Sequence, residues 1–281
     1  MGKIGRSANW AGEACYPTIA SGAQRRTSRP AIQQSSNPDI KKQAMAMTLD
    51  RILQSQGFGT RRYCGDLIGA GLVEVDGTLC EDPGAKFEVD GLRLTVDGEE
   101  WIGHAKAYIL LNKPVGYECS QRPRHHPSVY NLLPVPLRQR EVQAVGRLDQ
   151  DTTGLLLLSD DGQFIHAQTS PKKKVPKVYE VTTAEPVTQE QVDALVAGVQ
   201  LEDEPAPIAA AACEATGERS LRLSLTEGKY HQVKRMVAAA GNHVEALHRS
   251  AIGGLVLEPT LALGDWRWLT PEDLIALTRK E

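Results

Sequence analysis

The chain has 281 residues, 41% of them apolar and 24% charged, with a formal charge of -3 and a pI near 6.2. This composition excludes a fibrous or wholly disordered chain, and the length suffices for one large or two modest cores. No apolar run approaches a bilayer span and the N-terminus lacks the hydrophobic centre of a secretory signal, so no membrane partner is expected.

The five cysteines, Cys15, Cys64, Cys80, Cys119 and Cys213, are far apart, with no CxxC pair to suggest zinc or a redox couple, and they fit a reducing cytoplasm. The mild net acidity does not point to a nucleic-acid binder, but it hides an uneven distribution. Residues 1–47 carry seven Lys and Arg against two acids, residues 48–101 five against eleven, and residues 102–281 twenty against twenty-two. Any surface for RNA must therefore be a local patch.

Residues 1–47, rich in Ser, Pro, Gly, Gln and Arg and without an apolar period, read as a disordered basic leader. A transit peptide, an RNA-binding arm and a functionless extension upstream of Met45 and Met47 are all compatible with it. From Thr48 the pattern becomes regular. Leu49, Ile52 and Leu53 line one helical face, Gly57 and Gly59 make a turn, and Thr60 caps a second helix that carries Arg61 and Arg62 outward and Leu67 and Ile68 inward. Leu72 to Val75 alternates as a strand, Asp76-Gly77 is a hairpin signal, and short strands over 87–89 and 92–96 close a small αα-β unit spanning 48–101. Residues 98–105 read as a linker to a second domain over 105–281.

In that domain Tyr108 to Leu111 reads as a strand ending in Asn112-Lys113-Pro114. Residues 121–140 are polar and proline-interrupted, with Arg122, Arg124, His125, His126, Arg138 and Arg140. They fit a mobile basic loop touching RNA or an ordinary solvated one. Two adjacent histidines without further ligands make a poor metal site. After a helix begun by Phe164 to Gln168 comes the densest basic cluster, Lys172, Lys173 and Lys174 with Lys177. It is either solvated surface or a phosphate-holding patch ahead of the strand Val178 to Val181. A helix over 186–199 is expected to pack through Val192, Leu195 and Val196, and Leu221 to Leu225 alternates as a strand. In the next helix Val233, Met236, Val237 and Ala240 face the core, leaving His231, Lys234 and Arg235 on other faces, and Gly241 ends it. Val244 to Leu247 is a further strand, and Thr270-Pro271-Glu272-Asp273 opens a final helix.

The domain is organised around GRLDQDTTGLLLLSDDG, Gly146 to Gly162. Leu155 to Leu158, bordered by turn residues, reads as a strand buried on both faces. It anchors a polar turn holding Asp149, which taken alone would be a turn residue or a cap. The whole string resembles the catalytic motif of the pseudouridine synthases of the RsuA/RluA superfamily, in which the Asp after Arg-Leu attacks the target nucleotide. EGKYHQVKRM, Glu227 to Met236, resembles the family segment whose basic residue pairs with that Asp, which implies Lys234 as partner and Arg235 as the second choice. Tyr179, in KVYEV, matches the tyrosine that packs on the target uracil, and Arg147 matches an arginine that fills the place vacated by the flipped base. Apart from the resemblance, Tyr179 reads as a core aromatic, Lys234 and Arg235 as exposed helix positions, and Arg147 as a residue that fixes the loop. LDRILQSQGFGTRRYCGDLIGAGLVEVDG resembles the S4 RNA-binding domain, which implies a contact face made by Arg51, Arg61 and Arg62; a small accessory domain with solvated arginines is the alternative.

The implied reaction breaks the bond from C1′ to N1, turns the uracil while it is held, and joins C1′ to C5. Nothing is added or lost, so no cofactor or metal is implied. Burial raises a carboxylate pKa, so Asp149 would need a fixed cation nearby to stay charged. A phenol is a weak base at neutral pH, which favours stacking over proton abstraction for Tyr179. The segment from Glu227 onward looks closer to the RsuA-type, small-subunit branch than to the large-subunit enzymes, which typically carry an Asn-Arg-Gln-Val-Arg-Arg-type string where this chain has Tyr230 to Arg235.

The expectation is an α+β protein: a small S4-like αα-β unit, then a catalytic domain with a mixed, largely antiparallel sheet and flanking helices. It would be a cytoplasmic, monomeric isomerase of the 16S pseudouridine-516 type, acting on ribosomal RNA in an assembling small subunit. Asp149, Tyr179 and Lys234 would be catalytic. Arg147, Arg51, Arg61, Arg62, Lys172, Lys173, Lys174, Lys177, His231 and Arg235 would bind RNA. The alternatives are the same chemistry on 23S RNA and a non-catalytic ribosome-assembly factor.

Overall fold

A computed structural model describes residues 46–279; all but the last two residues of the expected leader lie outside them. The first element group is a strand β1 (Met47–Thr48), helices α1 (Leu49–Gln56) and α2 (Arg61–Gly69), and strands β2 (Val73–Val75), β3 (Thr78–Leu79), β4 (Lys86–Phe87), β5 (Arg93–Val96) and β6 (Glu99–Ile102). Leu49, Ile52, Leu53, Leu67 and Ile68 are buried together with Val73, Leu94 and Val96, so the two helices close on the sheet β3-β2-β5-β6. The Thr60 hydroxyl accepts from the Tyr63 N–H and starts α2 as expected. Asp76 and Gly77 both adopt positive φ, the geometry of a two-residue hairpin turn. The stretch read as a linker differs: Glu99–Ile102 pairs with β5 as an edge strand. Its two acids face solvent, and a short edge strand with charged residues carries little alternation to read.

The second group runs β7 (Tyr108–Lys113), α3 (Val135–Gln139), β8 (Gln143–Val145), β9 (Thr152–Ser159), α4 (Gly162–Thr169), β10 (Lys177–Thr183), α5 (Gln189–Ala197), β11 (Ala212–Gly217), β12 (Ser220–Leu225), α6 (Gln232–Ala239), β13 (Val244–Ile252), β14 (Leu255–Val256), β15 (Trp266–Trp268) and α7 (Pro271–Ala276). One sheet orders these strands β11-β12-β10-β13-β9-β7-β15, with β14 beside β13 and β8 beside β9. Only β13 and β9 run parallel, so the sheet is mixed and largely antiparallel. The leucine run is fully buried because its alternate side chains enter two cores. Leu156 and Leu158 join Ile109 and Leu111 on one face, while Leu155 and Leu157 join Leu110 and Ile252 on the other.

Two glycines are required by close approach. A Cβ on Gly154, at φ +104, would lie 2.3 Å from the Arg249 carbonyl oxygen, which lets β9 and β13 pair where the active turn begins. A Cβ on Gly57 would lie 2.0 Å from the Pro136 carbonyl oxygen, so α1 and α3 meet there. The capping boxes at Thr188 and Thr270 start α5 and α7. Val196, expected to pack, is 45% exposed, because α5 presents only Val192 and Leu195 to the sheet. Among the described residues no helix is long and apolar enough to cross a membrane.

Candidate active site

Asp149 stands in the turn between β8 and β9, where the Thr152 N–H donates to its carbonyl. The turn is pinned from below by Lys113 at the end of β7. The Lys113 side chain has no exposure, and its ammonium donates to the carbonyls of Pro114 (2.9 Å), Gln150 (3.3 Å) and Thr152 (2.9 Å). Burial holds the Lys113 pKa below the ordinary lysine value, although the charges of Asp149 and Asp151 oppose that shift. The Gly116 N–H adds a bond to the Gln150 carbonyl. An eight-residue buried strand on one side and a buried cation on the other thus fix the one exposed turn between them.

The Asp149 carboxylate is one-third exposed, with Oδ1 3.4 Å from His231 Nε2 and Oδ2 3.9 Å from Lys234 Nζ. Lys234 is therefore beside Asp149, but its short contacts go to Asp151, at 2.6 and 2.7 Å. Burial would raise the Asp151 pKa, yet the Lys234 hydrogen bond and charge outweigh it and the carboxyl lies below its usual range. Lys234, the expected partner of Asp149, is shared by two carboxylates on one turn. Arg235, the second choice, points elsewhere and bonds Asp203 at 3.0 Å. His231, expected only to touch RNA, begins α6 in the left-handed region (φ 46) and stacks on Tyr230 with ring centroids 3.9 Å apart. That backbone outlier carries the imidazole to Asp149.

A cleft of about 510 Å³ opens beside this turn, and Asp149, Tyr179, Lys177, Lys234, Arg147 and Arg249 contribute to its walls. Tyr179 sits mid-strand in β10, 9% exposed, packed into the main core and lining the cleft. Arg147 is exposed and has no carboxylate partner among the described residues. Lys172, Lys173 and Lys174 are exposed on a short 3-10 turn outside the cleft wall. Lys177 does not belong with them. It is half-buried in the cleft, donates to the Val175 carbonyl, and has its pKa lowered by burial and by Arg249.

The basic loop over 121–140 is tied at its start by one carboxylate. The Glu118 carboxylate accepts the backbone N–H groups of Arg124, His125 and His126, and α3 comes next in the chain. Arg140 is set apart from the loop's exposed arginines: its side chain is 2% exposed, bonds Asp160 at 2.6 Å, and reaches Gln56 Oε1 and the His104 carbonyl. In the first element group Arg51 and Arg62 are exposed, whereas Arg61 is held by Asp50 at 2.6 Å. Lys113, Asp151 and Arg249 were not singled out from the sequence. A lysine after a strand reads as a turn residue, and Arg249 shows only as a charge inside the strand pattern ALHRSAI.

The family model of the RNA pseudouridylate synthases matches residues 107–239. The ribosomal small subunit pseudouridine synthase A of Escherichia coli K12 is 40% identical over 234 residues, covering 82% of this chain and all of that protein. An uncharacterized RNA pseudouridine synthase of Bacillus subtilis is 37% identical, covering 84% of this chain and all of the relative. A solved pseudouridylate synthase structure superposes with a TM-score of 0.59 at 36% identity, over 82% of this chain and 99% of that one. Identity of this extent over four fifths of the chain and the whole of the relatives means that the chain belongs to the RNA pseudouridylate synthase family, in its RsuA-type branch.

Proposed function

We propose that this chain isomerises uridine to pseudouridine in 16S ribosomal RNA, with Asp149 as the acting carboxylate. The observation that carries the reading is the state of that carboxylate. It stands at a cleft lined by an aromatic ring and cations, close to His231 and Lys234, with no short hydrogen bond to either. A carboxylate kept near cations but not locked to them by a short hydrogen bond is free to attack C1′ or to take the C2′ proton. Tyr179 packs on the uracil, Lys234 holds the charge of the turn, and Arg147 extends toward the gap left by the flipped nucleotide. The relatives named for the small ribosomal subunit support the choice of RNA.

The unit from Thr48 to Ile102 acts in this reading as an S4-like RNA-holding module, its contact face made by Arg51 and Arg62 with Arg61 partly neutralised. Exposed Lys172 to Lys174 lie along the RNA path with the half-buried Arg235, which Asp203 partly neutralises, and the protein works as a cytoplasmic monomer on an assembling small subunit.

The test is carbodiimide-primed reverse-transcription mapping of 16S and 23S RNA from cells lacking the protein, complemented with wild type or Asp149→Asn. One 16S stop restored by wild type and not by the variant is expected, with purified Asp149→Asn losing roughly 10⁴-fold or more in rate. A stop lost from 23S RNA would replace the substrate. No change in either RNA would leave the assembly-factor reading in its place.

A further inference from the structure

Arg249 is the least satisfied charge in the cleft. It lies at the centre of β13, 3% exposed, and its backbone is the register partner of Tyr179 on β10. Nε donates to the Leu155 carbonyl at 2.8 Å, while Nη2 is buried with no hydrogen-bond partner. No carboxylate pairs with the guanidinium among the described residues. A guanidinium cannot shed its proton to escape burial, so a cation held this way carries a cost that its own fold does not offset. Lys177 stands near enough to feel its charge and lines the same cleft. Two neighbouring cations without an acid, beside the ring expected to hold the base, form a site prepared for negative charge.

The reaction generates such a charge in the base. When the C1′–N1 bond breaks, its electron pair stays on N1 and the detached uracil is an anion delocalised over N1, O2 and O4. C1′ is meanwhile bonded to an Asp149 oxygen, or relieved by loss of the C2′ proton to Asp149. The turned base then bonds C1′ through C5, Asp149 leaves or returns its proton, C5 loses a proton and N1 gains one. RNA phosphates are anions too, but they lie on the solvent side of a flipped base, whereas Arg249 is 3% exposed in the cleft wall.

We propose that Arg249 donates from its unpaired guanidinium edge to the uracil oxygens and stabilises the uracil anion in the bond-breaking step, with Lys177 adding to the field. This rests on the reading of the cleft as a uridine isomerase site.

The experiment is single-turnover cleavage of the N1–C1′ bond by the full-length chain, on a 16S RNA fragment carrying uridine or 5-fluorouridine at the target. Fluorine at C5 makes N1 more acidic, so the leaving base needs less help from a cation. Arg249→Gln is expected to slow the uridine RNA on the order of 100-fold, and the fluorinated RNA at least tenfold less, with KM little changed. Arg249→Lys should recover part of the rate, and Lys177→Met should show the same pattern more weakly with an unchanged melting temperature. Equal losses on both RNAs would assign Arg249 to holding β9 against β13 and overturn the proposal. A loss confined to KM and to its salt dependence would make the bound anion a phosphate and overturn it as well. An inactive wild type would remove the isomerase reading itself, which distinguishes that failure from the other two.

Discussion

The cleft and the αα-β unit differ in how their buried charges are matched. In the unit, acids outnumber bases, and Arg61 is drawn onto Asp50, a carboxylate 8% exposed that also takes the Thr48 hydroxyl and the Arg51 N–H. In the cleft, Arg147, Lys177 and Arg249 have no carboxylate partner among the described residues, and Lys234 is divided between two acids. The largely buried Asp50 draws a cation onto itself, because a buried charge left unanswered weakens the fold, while Arg51 and Arg62 stay in solvent. A site that must receive a polyanion and a developing negative charge leaves its cations unanswered and accepts the cost. The overall charge of -3 averages these two policies and describes neither.

The largest effect is expected where a buried cation supports the cleft without facing it. Lys113→Met keeps length and apolar bulk but takes the ammonium donor from the carbonyls of Pro114 and Thr152 and leaves Gln150 with the Gly116 N–H. The expected loss is about 3–5 kcal/mol of stability, read by urea denaturation, together with a fall in kcat larger than the change in KM as the Asp149 turn loosens. Full activity with a normal melting curve would show that β9 alone fixes the turn.

How much of this contrast was legible in the chain depends on range. The apolar patterns were legible because they are local: the leucine run fills two cores by alternation, Val233, Met236 and Val237 line one helical face, and Thr60 and Thr270 cap α2 and α7. Asp149 was legible through the long string around it, not through its own chemistry. The charge partnerships were not legible, since they join residues far apart in sequence. Lys234 meets Asp151 across 83 positions, Arg140 meets Gln56 across 84, and Arg249 meets the Leu155 carbonyl across 94. Short edge strands such as β6 and β15 were missed because a few half-exposed residues carry too little alternation to separate from loop.

A smaller effect is expected at Arg140, the cation that joins the two regions and, unlike those of the cleft, is fully matched. Its guanidinium holds Asp160 with Nε and Nη2 and reaches Gln56 and the His104 carbonyl with Nη1. Arg140→Met leaves the Asp160 carboxylate without its cation and Gln56 short of one donor, although Gln56 Oε1 still accepts from Trp101 and the His104 N–H. A loss of about 3 kcal/mol is expected, with the single-turnover rate on bound RNA retained. A rate that falls with the stability would mean that the junction also shapes the cleft.

The smallest effect is a pH slope at the same junction. The His104 ring stacks on Trp268, with centroids 3.9 Å apart, and burial together with the Arg140 charge holds its pKa below the ordinary histidine value. The unfolded chain, with a histidine pKa of about 6.5, therefore takes up this proton before the folded chain does. Stability from His104 is complete above that value and is lost as pH falls through the depressed folded one. His248, also lowered by burial, adds a slope of the same sign far from the junction. His104→Phe keeps the stack and removes the titration, so its urea midpoint should change less between pH 7 and pH 5 than that of wild type, with the His248 contribution remaining. Because Arg140 is one cause of the depression, Arg140→Met should flatten the slope in the same direction, and adding His104→Phe should flatten it less than it does in wild type. Additive flattening in the double variant would mean that burial alone sets the His104 pKa, and the matched cation at the junction would then act only through its hydrogen bonds.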